Sequence, residues 1–266
     1  MPMQISISNA IGGGGGAQGS GGGSSFASTN SFIFDGNDDY VDCGVNANLS
    51  FGNTSSDFPF TFSMWAKVDN LNSGHSLIEK QDASNNREYV FFIGSDGSIA
   101  NYIYSNGVFL NRRGRKTSVG LISINTWYHI VMTYDGQGGT SASNGIKIYL
   151  DGTRVDTANN QKNSYVAMKN TSNPFKIGEF INGNMDEVAV FNSELSGGFA
   201  GSDVSTIYNS GIPNDISSFN PISWWRMGEA ANYTGRSWDL IDQGSGGNNG
   251  FSDTLPPSAL STDVPS

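Results

Sequence analysis

The chain has 266 residues, of which 35 are glycine and only 14% are charged, and its formal net charge is −10. That length can bury a sizeable core in one all-β domain with extensions. The acidic balance argues against nucleic acid as a direct ligand, because phosphate binding needs clustered Lys and Arg. Residues 1–30 hold Ile5, Ile7 and Ile11, followed by a Gly-rich run that includes Gly12 to Gly16. Such a segment cannot bury enough apolar surface to fold alone. Fixing one residue's backbone costs about 1–2 kcal/mol, so an ordered arm needs contacts from outside the domain. The expectation is an assembly arm whose Ile5, Ile7 and Ile11 lie against neighbouring subunits. The N-terminus has neither a basic n-region nor an apolar h-region, so no secretory signal is expected. No stretch approaches the ~18 apolar residues of a membrane span. Cys43 is the only cysteine, which rules out a disulfide within the chain.

From Ser31 the pattern becomes that of short strands between polar turns. Phe32-Ile33-Phe34-Asp35-Gly36 reads as a strand and turn, continued by Tyr40-Val41-Asp42-Cys43. Phe60 to Val68 alternates, with Phe60, Phe62, Met64, Ala66 and Val68 on one face. Leu77-Ile78-Glu79-Lys80 is a short strand. Tyr89 to Ile93 and Ser98 to Tyr104 flank a Gly94-Ser95-Asp96-Gly97 turn as a hairpin. Arg112-Arg113-Gly114-Arg115-Lys116 is the only basic cluster and is read as a solvated loop. Trp127 to Tyr134 and Ile146 to Leu150 are rich in β-branched and aromatic residues. Asp151-Gly152 then offers the two positive φ values of a type I′ hairpin. Phe175 to Gly178 and Glu187 to Phe191 close the set. About ten to twelve strands without intervening helices predict two antiparallel sheets packed face to face. One helix is drawn, over Ser202 to Asn209, with Gly211 and Pro213 beyond its end. Trp224 to Gly228 is strand-like, and Pro256-Pro257 marks an irregular end.

In order, Phe34-Asp35-Gly36-Asn37-Asp38-Asp39-Tyr40-Val41, Phe62-Ser63-Met64-Trp65, Trp127-Tyr128-His129-Ile130-Val131, Ile148-Tyr149-Leu150-Asp151-Gly152 and Met185-Asp186-Glu187-Val188-Ala189-Val190-Phe191 resemble the laminin G-like branch of the concanavalin A-like lectin/glucanase jelly rolls. The resemblance covers residues 31–211. It implies an all-β, two-sheet antiparallel jelly-roll sandwich over residues 31–198, with the arm before it and a helix and tail over 199–266. A looser resemblance concerns the layout. The Gly-rich start, the single such domain, Ile207-Tyr208-Asn209-Ser210-Gly211, Trp224-Trp225-Arg226-Met227-Gly228 and the Asp263-Val264-Pro265 finish resemble virion proteins of marine tailed bacteriophages.

The resemblance also implies where sites would fall. In similar jelly rolls the opening turn and a late strand lie side by side and hold a structural Ca²⁺, which here would use Asp35, Asn37, Asp39 and Asp186. The competing reading is that these residues are turn formers bonding their own backbone. Glucanases of this fold place acids at alternate positions of one strand. Here Asp186 and Glu187 are adjacent, so a regular strand would point them to opposite faces, with Met185 and Val188 at the positions required. No enzyme is expected. His75 and His129 stand in no nucleophile or metal-ligand spacing, and His129 is read as a satisfied face or core residue. Tyr89, Tyr102, Tyr104 and Phe109 are the candidate sugar-stacking residues, weighed against a role in the core, to which Trp127 is assigned. The expected function is a non-enzymatic virion structural protein, a decoration, fibre or appendage subunit, displaying a lectin-like jelly roll for adhesion to surface glycans. Its partners would be other virion proteins and copies of itself. The alternative is a free carbohydrate-binding module of a bacterial surface or secreted protein.

Overall fold

The computed structural model describes residues 26–82, 84, 86–105 and 111–266. The expected arm residues Ile5, Ile7 and Ile11, and the candidate Phe109, lie outside the described residues. Two antiparallel sheets pack face to face, as the strand pattern predicts. The first sheet runs in spatial order through Thr153–Arg154, Ile146–Leu150, Tyr128–Tyr134, Phe60–Val68, Asn182–Phe191, Ser31–Asp35 and Leu260–Ser261. Ser223–Trp225 also pairs with Asn182–Phe191. The second sheet runs through Asp156–Asn159, Arg112–Thr117, Ile99–Tyr104, Arg87–Ile93, His75–Gln81, Lys176–Ile177 and Val41–Asp42, then Gly250–Ser252, Trp238–Leu240 and Ala231–Tyr233.

The core between the sheets follows the alternation. Phe60, Phe62, Met64, Ala66 and Val68 all point inward and are at most 1% exposed. Leu77, Phe91, Ile93, Ile99 and Ile103 meet them from the second sheet. Each such side chain contributes roughly 1.5–3 kcal/mol through burial. Tyr89 belongs here too and is no sugar platform. Its ring lies 5.3 Å from that of Phe62 and 6.3 Å from that of Phe175. Its hydroxyl donates to the Leu49 carbonyl at 2.6 Å. The period of 2 decides this: Tyr89 shares the inward phase of Phe91 and Ile93.

The first sheet is covered on its outer face as well. Val131, Tyr149, Ala189 and Phe191 project outward and meet Val204, Ile207, Ile216 and Trp224 in a second apolar cluster. Val204 and Ile207 come from the short helix Asp203–Tyr208, capped where the Ser202 hydroxyl accepts the Ser205 N–H at 3.3 Å. The Asp151-Gly152 turn has φ of 50° and 75°, as a type I′ hairpin requires.

Two expectations fail. Arg112–Thr117 is a strand, and Arg112 and Arg113 are buried. Arg113 Nη1 donates to the Asn163 carbonyl at 3.0 Å, and Arg115 Nε donates to Asp156 Oδ2 at 2.8 Å. Partners that close let a basic run pair as a strand where an isolated charge run would stay wet. Trp127 lies outside the core, half-buried at the sheet end, where its indole N–H donates to Asp263 Oδ1 at 2.9 Å.

Candidate functional site

Among the described residues, no segment covers the second sheet's outer face around Phe92 and Tyr102. With Tyr89, Phe91, Ile93, Ile99 and Ile103 turned inward, Val90, Phe92, Tyr102 and Tyr104 point out, and a register shift between Lys80 and Gln81 brings Arg87, otherwise in the inward phase, to the same outer hollow. The register sets Tyr102 opposite Val90 and Phe92 opposite Ala100. The Phe92 and Tyr102 rings lie 5.4 Å apart, and both are half-buried. The Arg112 guanidinium stands 4.1 Å over the Tyr102 ring, and the Asn160 amide donates to the Tyr102 hydroxyl at 2.9 Å. Tyr104 lies deeper, 1% exposed, with Arg87 5.8 Å above its ring.

Phe180 forms the opposite wall. It is 50% exposed at φ 64°, a backbone conformation that costs a bulky residue of order 1–3 kcal/mol. The surrounding loop holds it there: the Glu179 carbonyl accepts the Ser76 N–H at 3.1 Å, and Gly178 accepts that of Ile181 at 3.1 Å. The groove comprises two hollows of about 260 and 460 Å³ that share Glu79, Gln81, Arg87 and Phe180. Glu79 Oε2 accepts from Ser76 Oγ at 2.7 Å and Gln81 Nε2 at 3.0 Å. Burial, with the adjacent Glu179 carboxyl, pushes the Glu79 carboxyl up to about 8. Burial opposes ionisation of Glu179 as well, but hydrogen bonds from Glu79 and Lys176 hold it below its ordinary value. Glu79 therefore keeps its proton at neutral pH, and Glu179 carries the charge.

Of the expected stacking residues, Tyr102 and Tyr104 line this groove, whereas Tyr89 does not. Phe92 and Phe180 were missed. Phe92 was legible as the residue out of phase with Phe91, whereas nothing in Gly178-Glu179-Phe180-Ile181 signals an exposed ring. A different hollow, about 400 Å³ beside Phe199, is lined by charges already paired, with Lys147 bonded to Glu194 and Arg154 to Asp156.

The expected cation ligands do not form one group. The register sets Asp35 opposite Asn182 and Phe32 opposite Met185, so Asp186 lies four residues along, ~13 Å away. In the opening turn Asp35 Oδ1 accepts the Asn37 N–H at 2.8 Å, and Asp39 Oδ2 accepts that of Asp35 at 2.9 Å. Bonds from Asn37 lower the Asp35 carboxyl, and burial raises that of Asp39. Oxygens of Asp35, Asp38 and Asp39 come within 4.8 Å of one another. This hard, all-oxygen set is of the kind Ca²⁺ takes, so the turn would hold the implied ion without Asp186.

Asp186 and Glu187 overturn another expectation. The pairing with Phe60–Val68 slips between Asp186 and Ala189, and Glu187 has φ 49°. This is a β-bulge, and its extra residue brings both carboxylates onto the same outer face. Met185 and Val188 point into the main core. The two acids and Glu229 gather oxygens within 4.8 Å, yet the cluster is sealed. Asp186 is fully buried and accepts from Ser28 Oγ at 2.6 Å. Glu187 accepts from the Trp224 indole at 2.6 Å and from Arg226 Nε at 3.1 Å. Burial pushes Asp186 well above the usual carboxylate range and Glu187 up to about 7. Phe26 stacks 6.0 Å from Trp224 beneath Arg226. These contacts fasten residues 26–30 across the sheet. His129 is equally enclosed: burial lowers its pKa to about 3, and its Nε2 meets Ser63 Oγ at 2.9 Å.

The family model for the concanavalin A-like lectin/glucanases superfamily matches residues 35–198. No curated protein matches the chain. Similar solved structures include a candidate carbohydrate-binding protein from Bacteroides ovatus, 16% identical, with a TM-score of 0.54 over 89% of this chain and 61% of that one. This chain thus spans under two thirds of that protein. They also include the sialidase CBM40 of Ruminococcus gnavus bound to α2,3-sialyllactose, 11% identical, covering 62% of this chain and 91% of that one at a TM-score of 0.42. A third is a SAP-like pentraxin of Limulus polyphemus, 14% identical, covering 66% and 83% at a TM-score of 0.37. Identities this low speak to fold alone.

Proposed function

The chain belongs to the concanavalin A-like lectin/glucanase superfamily, and from that premise we propose that it is a carbohydrate-binding jelly roll holding its ligand in the groove on the second sheet's outer face. The observation that carries this reading is the aromatic lining, Phe92 and Tyr102 on the floor and Phe180 on the wall, beside Glu79, Gln81 and Arg87. Flat apolar rings with a few fixed polar groups make a ligand site of the usual kind. A half-exposed Phe180 held at a strained backbone angle is what a ligand-contacting ring on the groove wall would require.

The reading is non-enzymatic. Glu79 and Glu179 share a hydrogen bond, closer than the roughly 5–5.5 Å that a retaining glycosidase sets between its carboxyl groups. Asp186 and Glu187 share a face but lie beneath Ser28, Trp224 and Arg226. Display on a virion is a second reading, favoured by one observation. Residues 26–30 are fastened to the first sheet's outer face, so a preceding arm would leave on the side away from the groove.

A glycan array, followed by titration calorimetry on the bound saccharide, tests the primary reading. The native chain is expected to bind, and Phe180→Asn to lose about tenfold in affinity, ~1.4 kcal/mol. An unchanged affinity in Phe180→Asn and Tyr102→Ala would overturn it.

A further inference from the structure

We propose that the site continues past the groove and across the second sheet to Phe251, so that its ligand is a linear polysaccharide chain lying perpendicular to the strands, with Phe92 and Tyr102 under one end and Phe251 under the other. This rests on the carbohydrate-binding reading and adds the form of the ligand and a second point of contact.

Strand register carries the inference. Residues directly opposite one another on neighbouring strands share a face of the sheet. Tyr102 stands opposite Val90, Val90 opposite Glu79, Glu79 opposite Lys176, Lys176 opposite Asp42, and Asp42 opposite Phe251. They make one unbroken row from the floor of the groove to the tail of the chain. The row faces outward along its length, because the flanking residues Phe91, Ile78, Ile177 and Val41 turn into the core. Five strand spacings separate Tyr102 from Phe251, about 24 Å.

The groove already runs in this direction. Its two hollows reach from Tyr102 to Lys176, crossing the strands instead of following one. Asp42 comes next, and then Phe251 on Gly250–Ser252, a strand of the tail beyond the residues that the family model matches. Gly250 and Ser252 are buried, so the pleat turns Phe251 outward, where it is 44% exposed. Single apolar residues on a surface need no explanation. Phe251 is set apart by its place on the groove's own row, between Asp42 on one side and Asp239 on the other. The Asp42 carboxylate is held in place by accepting the Gly44 N–H at 2.7 Å. A flat apolar ring between two carboxylate acceptors suits a sugar, which offers an apolar ring face and a rim of hydroxyl donors. Between the two aromatic stations the floor is polar, with Lys176 held 3.0 Å from Glu179 and 4.4 Å over the Tyr40 ring.

The test is calorimetric titration of the native chain with cello-, xylo-, laminari- and galacturono-oligosaccharides, each as disaccharide and hexasaccharide. A disaccharide cannot bridge a span of about 24 Å, whereas an extended hexasaccharide can. In at least one series the hexasaccharide is expected to bind about tenfold or more tightly than its disaccharide, because the second contact is then made within one ligand. Phe251→Thr keeps a strand-forming residue and should erase that advantage while leaving disaccharide binding alone. Phe251→Tyr should retain it, and Tyr102→Ala should weaken both lengths. The melting temperature of each variant shows that it has folded. A hexasaccharide that binds no more tightly than its disaccharide in any series, or an advantage that survives Phe251→Thr, overturns the extended site and leaves the groove reading standing. Binding on the glycan array with no binding of any hexasaccharide does the same. Failure of the array and of every oligosaccharide overturns both.

Discussion

The two sheets share one pleat and one core, yet their outer faces are finished in opposite ways. On the first, Val131, Tyr149, Ala189 and Phe191 are roofed by Val204, Ile207, Ile216 and Trp224, and the charged groups beneath are sealed. On the second, Phe92, Tyr102 and Phe180 keep part of their apolar surface in water beside Arg87. A sheet face covered by its own chain is spent on stability. A face left open with aromatic rings and fixed polar groups is available for binding. The buried acids of the first face would look more catalytic in a list of residues, but solvent access decides against them.

The largest effect should come from breaking the covered face. Trp224→Ala removes a ring from the second apolar cluster and the donor to Glu187, so a loss of about 3–5 kcal/mol is expected in denaturant unfolding. Saccharide affinity in the surviving folded protein should stay within about twofold, as for well-separated sites; a tenfold loss would show that the faces are coupled.

Next in size is the open face. Tyr102→Ala is expected to weaken binding about tenfold while changing stability by no more than about 1 kcal/mol, because the ring is half-buried on an outer surface. Phe180→Asn sharpens the contrast further. Asn tolerates the left-handed φ that Phe does not, so stability should hold or rise by up to about 1 kcal/mol while affinity falls. Affinity and melting temperature falling together would assign Phe180 to packing.

The smallest effect is a pH dependence to which both faces contribute. Glu79 and Glu187 have carboxyls raised to about 8 and about 7, against an unfolded value near 4.5. The folded chain therefore holds protons that the unfolded chain releases, and the associated stability is lost as pH rises through 7 and 8. His129, depressed to about 3, works in the opposite sense but is neutral in both states above about 6.5. The melting temperature should thus fall by a few degrees between about pH 6.5 and 8.5. Glu79→Gln should flatten the upper part of that fall. A melting temperature that rises across this window would contradict the assigned protonation states.

Much of the sandwich was legible because its signals are local. The inward phase of Phe60 to Val68, the Gly94-Ser95-Asp96-Gly97 turn and the Asp151-Gly152 turn each depend on neighbouring residues alone, and each appears where expected. The site was less legible. Tyr102 and Tyr104 were named as candidates and line the groove, but Tyr89 was placed with them although it shares the phase of Phe91. Phe180 gives no local signal, because its exposure depends on a loop held by Ser76 from a distant strand. The Asp186-Glu187 bulge was invisible for a similar reason. It is a register slip against Phe60–Val68, and one slipped residue moves a side chain to the other face. Arg112 to Lys116 misled because a basic run reads as wet until Asp156 and the Asn163 carbonyl are known to lie beside it.

The central claim is that the open face of the second sheet, and not the covered face of the first, is where ligand binds. Chemical-shift mapping of the isotope-labelled chain, titrated with the saccharide that the array identifies, tests it most directly. The account predicts that the largest shifts fall on Arg87, Phe92, Tyr102 and Phe180, with Trp224, His129 and Asp186 still. Shifts concentrated on the first sheet's outer face, or around Phe199, with the groove unmoved, would contradict it.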